Sequence, residues 1–252
     1  MEIDLASRQA RWAVIAFFST NGFIYANWTA RLPELEIFYN IGHAQLGTIL
    51  LTSAIGSVVA MPLAGYLNNK FGSKWITILT ALFLSIAIPG IAWYPSISLA
   101  YGVIFFVGMM AGAMDVSMNG QAVIVERQWG KSIMSFFHAT FSIGMVLGAG
   151  TGALAAKLEV SLFYHIAFAA MITIIGILIA SRYLIDDYKE ARSTAEEERG
   201  FVLPTAAILP ISIIAFCGMV GEGSMVDWSA LYMNEIVGQS TSMSALAYGT
   251  FG

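Results

Sequence analysis

Residues 108–119 read GMMAGAMDVSMN, and this stretch decides the interpretation of the chain because it places a carboxylate inside an apolar run. Asp115 is the one formally charged residue between positions 98 and 125. Two glycines, this acid and an amide recur at spacings of four, three and four, on one face of a helix: Gly108, Gly112, Asp115 and Asn119. We therefore predict a transmembrane helix with a polar face.

A carboxylate in the hydrocarbon core of a bilayer is costly, so Asp115 is expected to face a protein interior or a water-filled cavity. This expectation makes Asp115 a candidate functional residue. The alternative is a buried acid that hydrogen-bonds a neighbouring helix and serves packing only. The rarity of acids inside membranes favours the functional interpretation, and the sequence leaves both open.

The composition indicates an integral membrane protein. Hydrophobic residues make up 58% of the chain and charged residues 11%, and the mean hydropathy is +0.73, whereas soluble domains carry about 25% charged residues. The net charge of -4 is small, so it does not indicate a nucleic-acid partner. Cys217 is the single cysteine, which excludes an intrachain disulfide.

Apolar runs long enough to cross a bilayer, about 20 residues each, recur along the chain. They lack the alternation of strands and so predict an all-α polytopic helical bundle. Seven runs are complete, at 12–32, 46–67, 75–94, 98–125, 133–156, 162–181 and 205–233, and an eighth begins near Met243.

The basic residues predict the orientation of the bundle. If the N-terminus is cytoplasmic, two of them, Arg31 and Lys157, lie outside, and ten lie inside: Arg8, Arg11, Lys70, Lys74, Arg127, Lys131, Arg182, Lys189, Arg192 and Arg199. Because basic residues concentrate in cytoplasmic loops, we predict a cytoplasmic N-terminus. The predicted outer loops are then 33–44, 94–97, 157–161 and 234–242.

Two similar motifs lie 200 residues apart, NWTA at 27–30 and DWSA at 227–230. Four similar residues can recur by chance, but a repeat beyond a charged connector is typical of transporters built from two related halves. We predict a six-helix bundle at 1–181, a cytoplasmic linker at 182–204 and the start of a second bundle at 205–252. A regulatory docking segment is the alternative for the linker.

The turn between the second and third runs reads GYLNNKFGSK, at 65–74. It resembles the cytoplasmic loop signature of the major facilitator superfamily, Gly-x-x-x-Asp-Arg/Lys-x-Gly-x-Lys/Arg. Asn69 stands where the family has Asp, and the other four positions match: Gly65, Lys70, Gly72 and Lys74. The resemblance implies 12 helices and hence a further C-terminal half. The alternative is an ordinary basic turn.

Three glycines recur every four residues in the fifth run, much like the family's fifth-helix glycine motif: Gly144, Gly148 and Gly152. Ala149 stands where the family has proline. Glycines at this spacing allow two helices to approach closely, so helix packing explains them without any contact to a substrate.

Within the superfamily, the stretch from Asp115 to Asn119 resembles the fourth-helix Glu-x-x-x-Asn of fucose permease, a proton-coupled sugar importer. The resemblance implies that Asp115 occupies the protonatable position. It also implies a location in the bacterial inner (plasma) membrane. The first helix departs from this branch, because Trp28 and not an acid follows Asn27.

Polar residues of the first run are further candidates for binding a solute. Asn21, Tyr25 and Trp28 share one face, and Asn27 adds an amide. An aromatic ring beside amides suits the mixed apolar and hydroxyl surface of a small polar solute. Trp28 as an anchor at the outer membrane interface is the alternative.

The seventh run adds two acids, Glu222 and Asp227, which lie about 140° apart around a helix. We predict that Glu222 faces the cavity, and that Asp227 is a cavity or outer-gate residue. Arg31 is predicted to pair with an acid across the outer gate, or else to extend towards the lipid headgroups. His138 is more typical of a packing histidine.

These features together predict a secondary active transporter that takes up a small polar solute, such as a sugar, with protons by alternating access. An exporter of amphipathic compounds is the alternative. A membrane-embedded enzyme has less support, because no nucleophile or metal-ligand motif is present. The expected partners are the solute, protons and the lipid bilayer, with no cofactor, metal ion or nucleic acid.

Overall fold

The computed structural model describes residues 4–188 and 205–249, and this part of the chain is helical without strands. The described residues form nine α-helices: α1 Leu5–Thr29, α2 Leu32–Tyr39, α3 His43–Phe71, α4 Ser73–Ala87, α5 Ile97–Trp129, α6 Met134–Lys157, α7 Leu162–Ala180, α8 Leu209–Glu235 and α9 Thr241–Gly249. The predicted all-α class is confirmed. The end of the predicted linker, with Lys189, Arg192 and Arg199, lies outside the described residues.

Six helices of the described part are long and apolar enough to cross a membrane: α3, α4 with the 3-10 turn that follows it, α5, α6, α7 with its 3-10 turn, and α8. Pro89 ends the α-helical part of the third run, because proline lacks the amide hydrogen that an α-helix needs. The first predicted run lies on α1, whose asparagines and threonines lower its hydropathy below that of the six.

The buried helix α1 occupies the middle of the first bundle, where it packs against α6 and α7. Gly22 and Gly144 lie at the seam with α6, where a side chain on either would meet the opposite backbone at Phe141 or Ser19. Gly148 faces the backbone of Phe23 in the same way. The fifth-run glycines therefore serve the helix packing that the sequence predicts.

A second seam joins α3 to α5 through Gly108 and Gly112. Gly108 lies against the backbone of Ser53, Gly112 lies against Ser57, and the Ser57 hydroxyl donates to the Gly108 carbonyl at 2.8 Å. The two glycines of the opening stretch thus face α3, while the side chain of Asp115 is exposed in the described part of the chain.

The predicted outer loop at 33–44 contains a helix that the apolar runs do not predict. Pro33 lies in the first turn of α2, and Asn40 ends the helix in the left-handed conformation, with φ of 52°. The Tyr39 hydroxyl donates to the Ile91 carbonyl, which fastens α2 to the turn after α4. This short helix thereby positions its acid Glu36.

The second part of the chain contacts the first through its two helices, α8 and α9. α9 packs against α6, where the Ser242 hydroxyl donates to the Ala153 carbonyl at 3.0 Å and Gly249 approaches Ala149. α8 packs against α9 and against α2. The predicted division of the chain at 182–204 stays a prediction, while residues 184–187 already lie against the first bundle.

Candidate transport site

Asp115 and Asn119 lie one turn apart on α5. The Asn119 side-chain amide donates to the Asp115 carboxylate at 3.1 Å and to the Asp115 backbone carbonyl at 2.9 Å. The carboxylate also interacts electrostatically with His138 on α6. We call Asp115, Asn119 and His138 the inner cluster, since α5 and α6 of the first bundle supply all three.

His138 connects the inner cluster to α1. Its ring packs edge-on against Phe18, with 5.3 Å between the ring centres. The packing role that the sequence predicts for His138 is thus present, and the same side chain also faces an acid. The proximity of His138 to Asp115 could not be predicted from the sequence, because nothing in the local pattern relates α5 to α6.

One face of α1 continues from Phe18 towards the predicted outer side. Asn21, Tyr25 and Trp28 follow at helical spacing, and seven residues from Phe18 to Tyr25 correspond to about 10 Å along the helix axis. The Tyr25 and Trp28 rings pack edge-on, with 5.5 Å between their centres. This face leads from the inner cluster to the contact between α1 and α8.

Tyr25 meets the second part of the chain at that contact. Tyr25 and the buried Tyr248 of α9 pack in one apolar cluster, and the Asp227 carboxylate on α8 lies within electrostatic range of both phenols. Tyr248 lies beside Thr29 of α1, and Glu222 is also within electrostatic range of it. We call Tyr25, Asp227 and Tyr248 the outer cluster. The predicted role of each of the two acids, Glu222 and Asp227, stays a prediction.

Two predicted residues of the first run are used inside the first bundle. The Asn27 amide donates to the Phe23 carbonyl at 2.7 Å, and its oxygen accepts from the Thr151 hydroxyl of α6 at 3.0 Å. Trp28 is fully buried, so it does not anchor α1 at the membrane interface. Asn27 therefore joins α1 to α6, and its role in binding a solute stays a prediction.

Arg31 does not form the predicted contact across the gate. It is buried, pairs with Glu34 of α2 through Nε at 2.6 Å, and donates to the Val160 carbonyl at 3.0 Å. All three residues belong to the first bundle. Both interpretations of Arg31, a gate pair and a side chain extended to the headgroups, are corrected, because α2 folds its own acid back onto the guanidinium.

The second part of the chain also contacts the first at a place that the sequence did not predict. His43 lies between two carboxylates, Glu36 of α2 and Glu235 of α8. The one available signal was that these three residues fall in, or just beside, the predicted outer loops at 33–44 and 234–242.

A cavity of about 780 Å³ lies between α8 and α9. Its lining is mostly apolar and includes Met225, Trp228, Tyr232 and Met243, with Ser224 and Ser229 as hydroxyl groups. The Trp228 ring also approaches Gly47 of α3, so this cavity begins where the two parts of the chain meet. In the predicted repeat, Trp228 corresponds to the buried Trp28.

The comparisons with known proteins agree with this helical architecture. The family model of the Major Facilitator Superfamily matches residues 5–252. The chain belongs to the Major Facilitator Superfamily. Membership of this superfamily supports the expectation of a transporter over that of an enzyme.

Bacterial relatives support the assignment to the superfamily. The chain is 33% identical to an uncharacterized transporter of Sinorhizobium fredii, y4wD, over 94% of this chain and 63% of the relative. It is 33% identical to an uncharacterized superfamily transporter of Yersinia pestis, over 94% of this chain and 60% of the relative. The chain thus spans about three fifths of these relatives. The fucose-permease branch stays a prediction.

A solved structure shows the same fold. The nucleoside transporter NupG covers 98% of this chain, and this chain covers 63% of NupG, with a TM-score of 0.66 at 13% sequence identity. At this identity the similarity supports the superfamily fold, including the arrangement of the helices around α1, and it carries no information on the solute.

The loop signature of the superfamily is partly engaged in contacts. Gly72 ends α3 with φ of +79°, a conformation that favours glycine, and it lies against Asp187 and Tyr188. Lys74 donates through Nζ to the Leu184 carbonyl at 2.9 Å. The remaining signature positions lie at the surface: Gly65 is half-buried, and Asn69 and Lys70 are exposed.

Proposed function

We propose that this chain contributes the first bundle and the beginning of the second bundle of a secondary active transporter, which takes up a small polar solute with protons by alternating access. The observation that carries the proposal is that two acids of membrane-spanning helices are linked to one face of α1. Asp115 of the inner cluster is linked to it through His138, and Asp227 of the outer cluster through Tyr25. An acid within a membrane-spanning segment is typical of a proton or substrate pathway.

In this proposal, Asp115 binds a proton when the cavity around it is open to water on the side of higher proton concentration. The ionised carboxylate is costly to enclose in a low-dielectric surrounding, so its protonation permits the cavity to close. The Asn119 amide and His138 hold the ionised form while water is present. Proton binding and closure of the cavity are thereby linked.

The solute is proposed to bind between the inner and outer clusters. Asn21, Tyr25 and Asn119 offer amide and hydroxyl groups, and the Trp228 ring offers an apolar surface. Mixed hydrogen-bonding groups beside an aromatic ring suit a hydroxylated solute such as a sugar. We further propose that the N-terminus is cytoplasmic and that the membrane is the bacterial inner membrane.

Export of amphipathic compounds is the second candidate function. The cavity between α8 and α9 is lined largely by methionine and aromatic side chains, which adapt to varied apolar ligands. The chain is also 24% identical to multidrug resistance protein 2 of Bacillus subtilis, over 73% of this chain and 48% of that protein.

Transport by proteoliposomes under an imposed pH gradient tests the proposal. Labelled L-fucose and D-glucose probe uptake, and the cationic dye ethidium probes export. The proposed importer accumulates a sugar, loses the gradient effect when Asp115 is replaced by Asn, and retains it in Glu159→Gln, a matched exposed acid of the predicted outer loop. Dye extrusion without sugar uptake would favour the second candidate.

A further inference from the structure

His43 contacts two carboxylates with its two ring nitrogens. Nδ1 lies 2.7 Å from Oε1 of Glu36, and Nε2 lies 2.8 Å from Oε2 of Glu235. Both distances are those of charge-assisted hydrogen bonds. The side chain of Glu36 is 9% exposed, whereas those of His43 and Glu235 are 54% and 40% exposed, so water reaches one end of the arrangement.

Two hydrogen bonds at one imidazole ring require an extra proton. A neutral imidazole carries one N–H and one nitrogen with a lone pair. The nitrogen without a hydrogen would therefore face a carboxylate oxygen, and the two lone pairs would repel each other. Either the ring is an imidazolium with two N–H groups, or one glutamate is protonated. In both cases the three side chains together hold one proton more than a neutral histidine with two carboxylates.

The two carboxylates come from different parts of the chain. Glu36 belongs to α2, seven residues before His43, and the turn at Asn40 holds the two together. Glu235 ends α8 and is 192 residues away from His43 in sequence. The Nε2 contact is consequently the one that breaks if α8 moves away from α3, and the Nδ1 contact stays.

We propose that His43, Glu36 and Glu235 form a proton-dependent latch that holds α8 of the second bundle against α2 and α3 of the first. The latch closes when it binds a proton and opens when it loses one, because the unprotonated ring repels one of the two carboxylates. The role of the latch in closing the predicted outer side rests on the alternating access proposed above. The latch itself is independent of Asp115 and of the solute.

The charged neighbours of His43 are accounted for within the described residues. Glu36 from α2 and Glu235 from α8 are the charged groups that interact with it. Glu34, the other acid of α2, is bound by Arg31. On the side of α5, Tyr101 pairs with Thr48 of α3, one turn further along the helix, and brings no charge at neutral pH. A proton therefore has one imidazole and two carboxylates to share.

Distance measurements between two spin labels test the latch in the protein reconstituted in lipid nanodiscs. The labels are placed at Ile37→Cys on α2 and Gln239→Cys after α8, both exposed, in a Cys217→Ser background. Spectra are recorded with EDTA at about pH 5 and about pH 8, on either side of the ordinary histidine pKa of about 6.5. The short-distance population is expected to fall at the higher pH.

Variants test whether the proton or the shape of the site controls the distance between the labels. His43→Lys carries a fixed cation and is expected to keep the short distance at both pH values. His43→Gln and Glu235→Gln are expected to lose the pH response, and Glu159→Gln, an exposed acid elsewhere on the predicted outer side, is expected to retain it.

Three results would overturn the latch. The first is a wild-type distance that does not change with pH, and the second is a pH response that survives in His43→Gln. The third is a response that appears only without EDTA, which would assign these ligand atoms, all within 4.8 Å of one another, to a metal ion instead. If sugar uptake fails while the pH response is present, the proposed function fails and the latch stands.

Discussion

The inner and outer clusters differ in how they are assembled. The inner cluster takes Asp115, Asn119 and His138 from α5 and α6, which lie in one bundle. The outer cluster takes Tyr25 from α1 but Asp227 from α8, so it exists only while the two parts of the chain are in contact. Asn119 and His138 therefore stay beside the inner acid throughout the proposed alternating access, whereas the outer acid changes its neighbours when the bundles move.

Replacing the inner acid is expected to have the largest effect. Hydrogen bonds to charged groups contribute about 1.5–3 kcal/mol, so Asp115→Asn should reduce accumulation driven by a pH gradient about tenfold or more. Exchange of solute without a gradient should persist, since the amide keeps the shape of the carboxylate. Initial rates in proteoliposomes measure both. Accumulation that matches the wild type would remove Asp115 from proton coupling.

A substitution at the contact between α1 and α6, which positions the inner cluster, is expected to have the next largest effect. Gly144→Ala places a methyl group against the backbone of Ser19, and overpacking of this kind costs about 1–3 kcal/mol. Gly150→Ala, on the same helix, meets no atom within 4 Å and serves as the matched control. Thermal unfolding in detergent should distinguish the two. Equal melting temperatures would show that α1 and α6 are not packed as described.

Changes at the outer cluster are expected to be milder. Tyr25→Phe removes the hydroxyl group that is proposed to bind the solute but keeps the ring contact with Trp28. The loss of one hydrogen bond, about 0.5–1.5 kcal/mol, corresponds to a several-fold change in affinity. Because Tyr25 lies where the two bundles meet, we expect the apparent KM for the solute to change. The effect of the pH gradient should change little. A loss of gradient dependence in Tyr25→Phe would show that the two clusters act as one unit.

The smallest effect concerns the support of α2, which carries Glu36. Burial raises the pKa of Tyr39 to about 12, compared with an ordinary value of about 10. The folded state thus favours the neutral phenol, so this contribution to stability is complete below about pH 10 and is lost as the pH rises towards 12. Unfolding midpoints against pH should show this loss in the wild type and not in Tyr39→Phe.

The sequence predicts those parts of the fold that depend on local pattern. The apolar runs locate the long helices, and a spacing of four predicts the contact between Asp115 and Asn119. Arg31 is misassigned because α2 is too short to appear as a run, and its Glu34 therefore went unrecognised as the partner. The contact of His43 with Glu235 joins residues 192 positions apart, and periodicity along one helix holds no information on which helices meet.

Thiol accessibility at position 115 tests the central claim, that the inner acid lines a water-filled cavity between two bundles. Asp115→Cys in a Cys217→Ser background is exposed to a membrane-impermeant maleimide from each side of oriented vesicles. The account predicts labelling from at least one side, at a rate that changes when a transported solute is added. A thiol that is never labelled, or that reacts only with a lipid-soluble reagent, would contradict it.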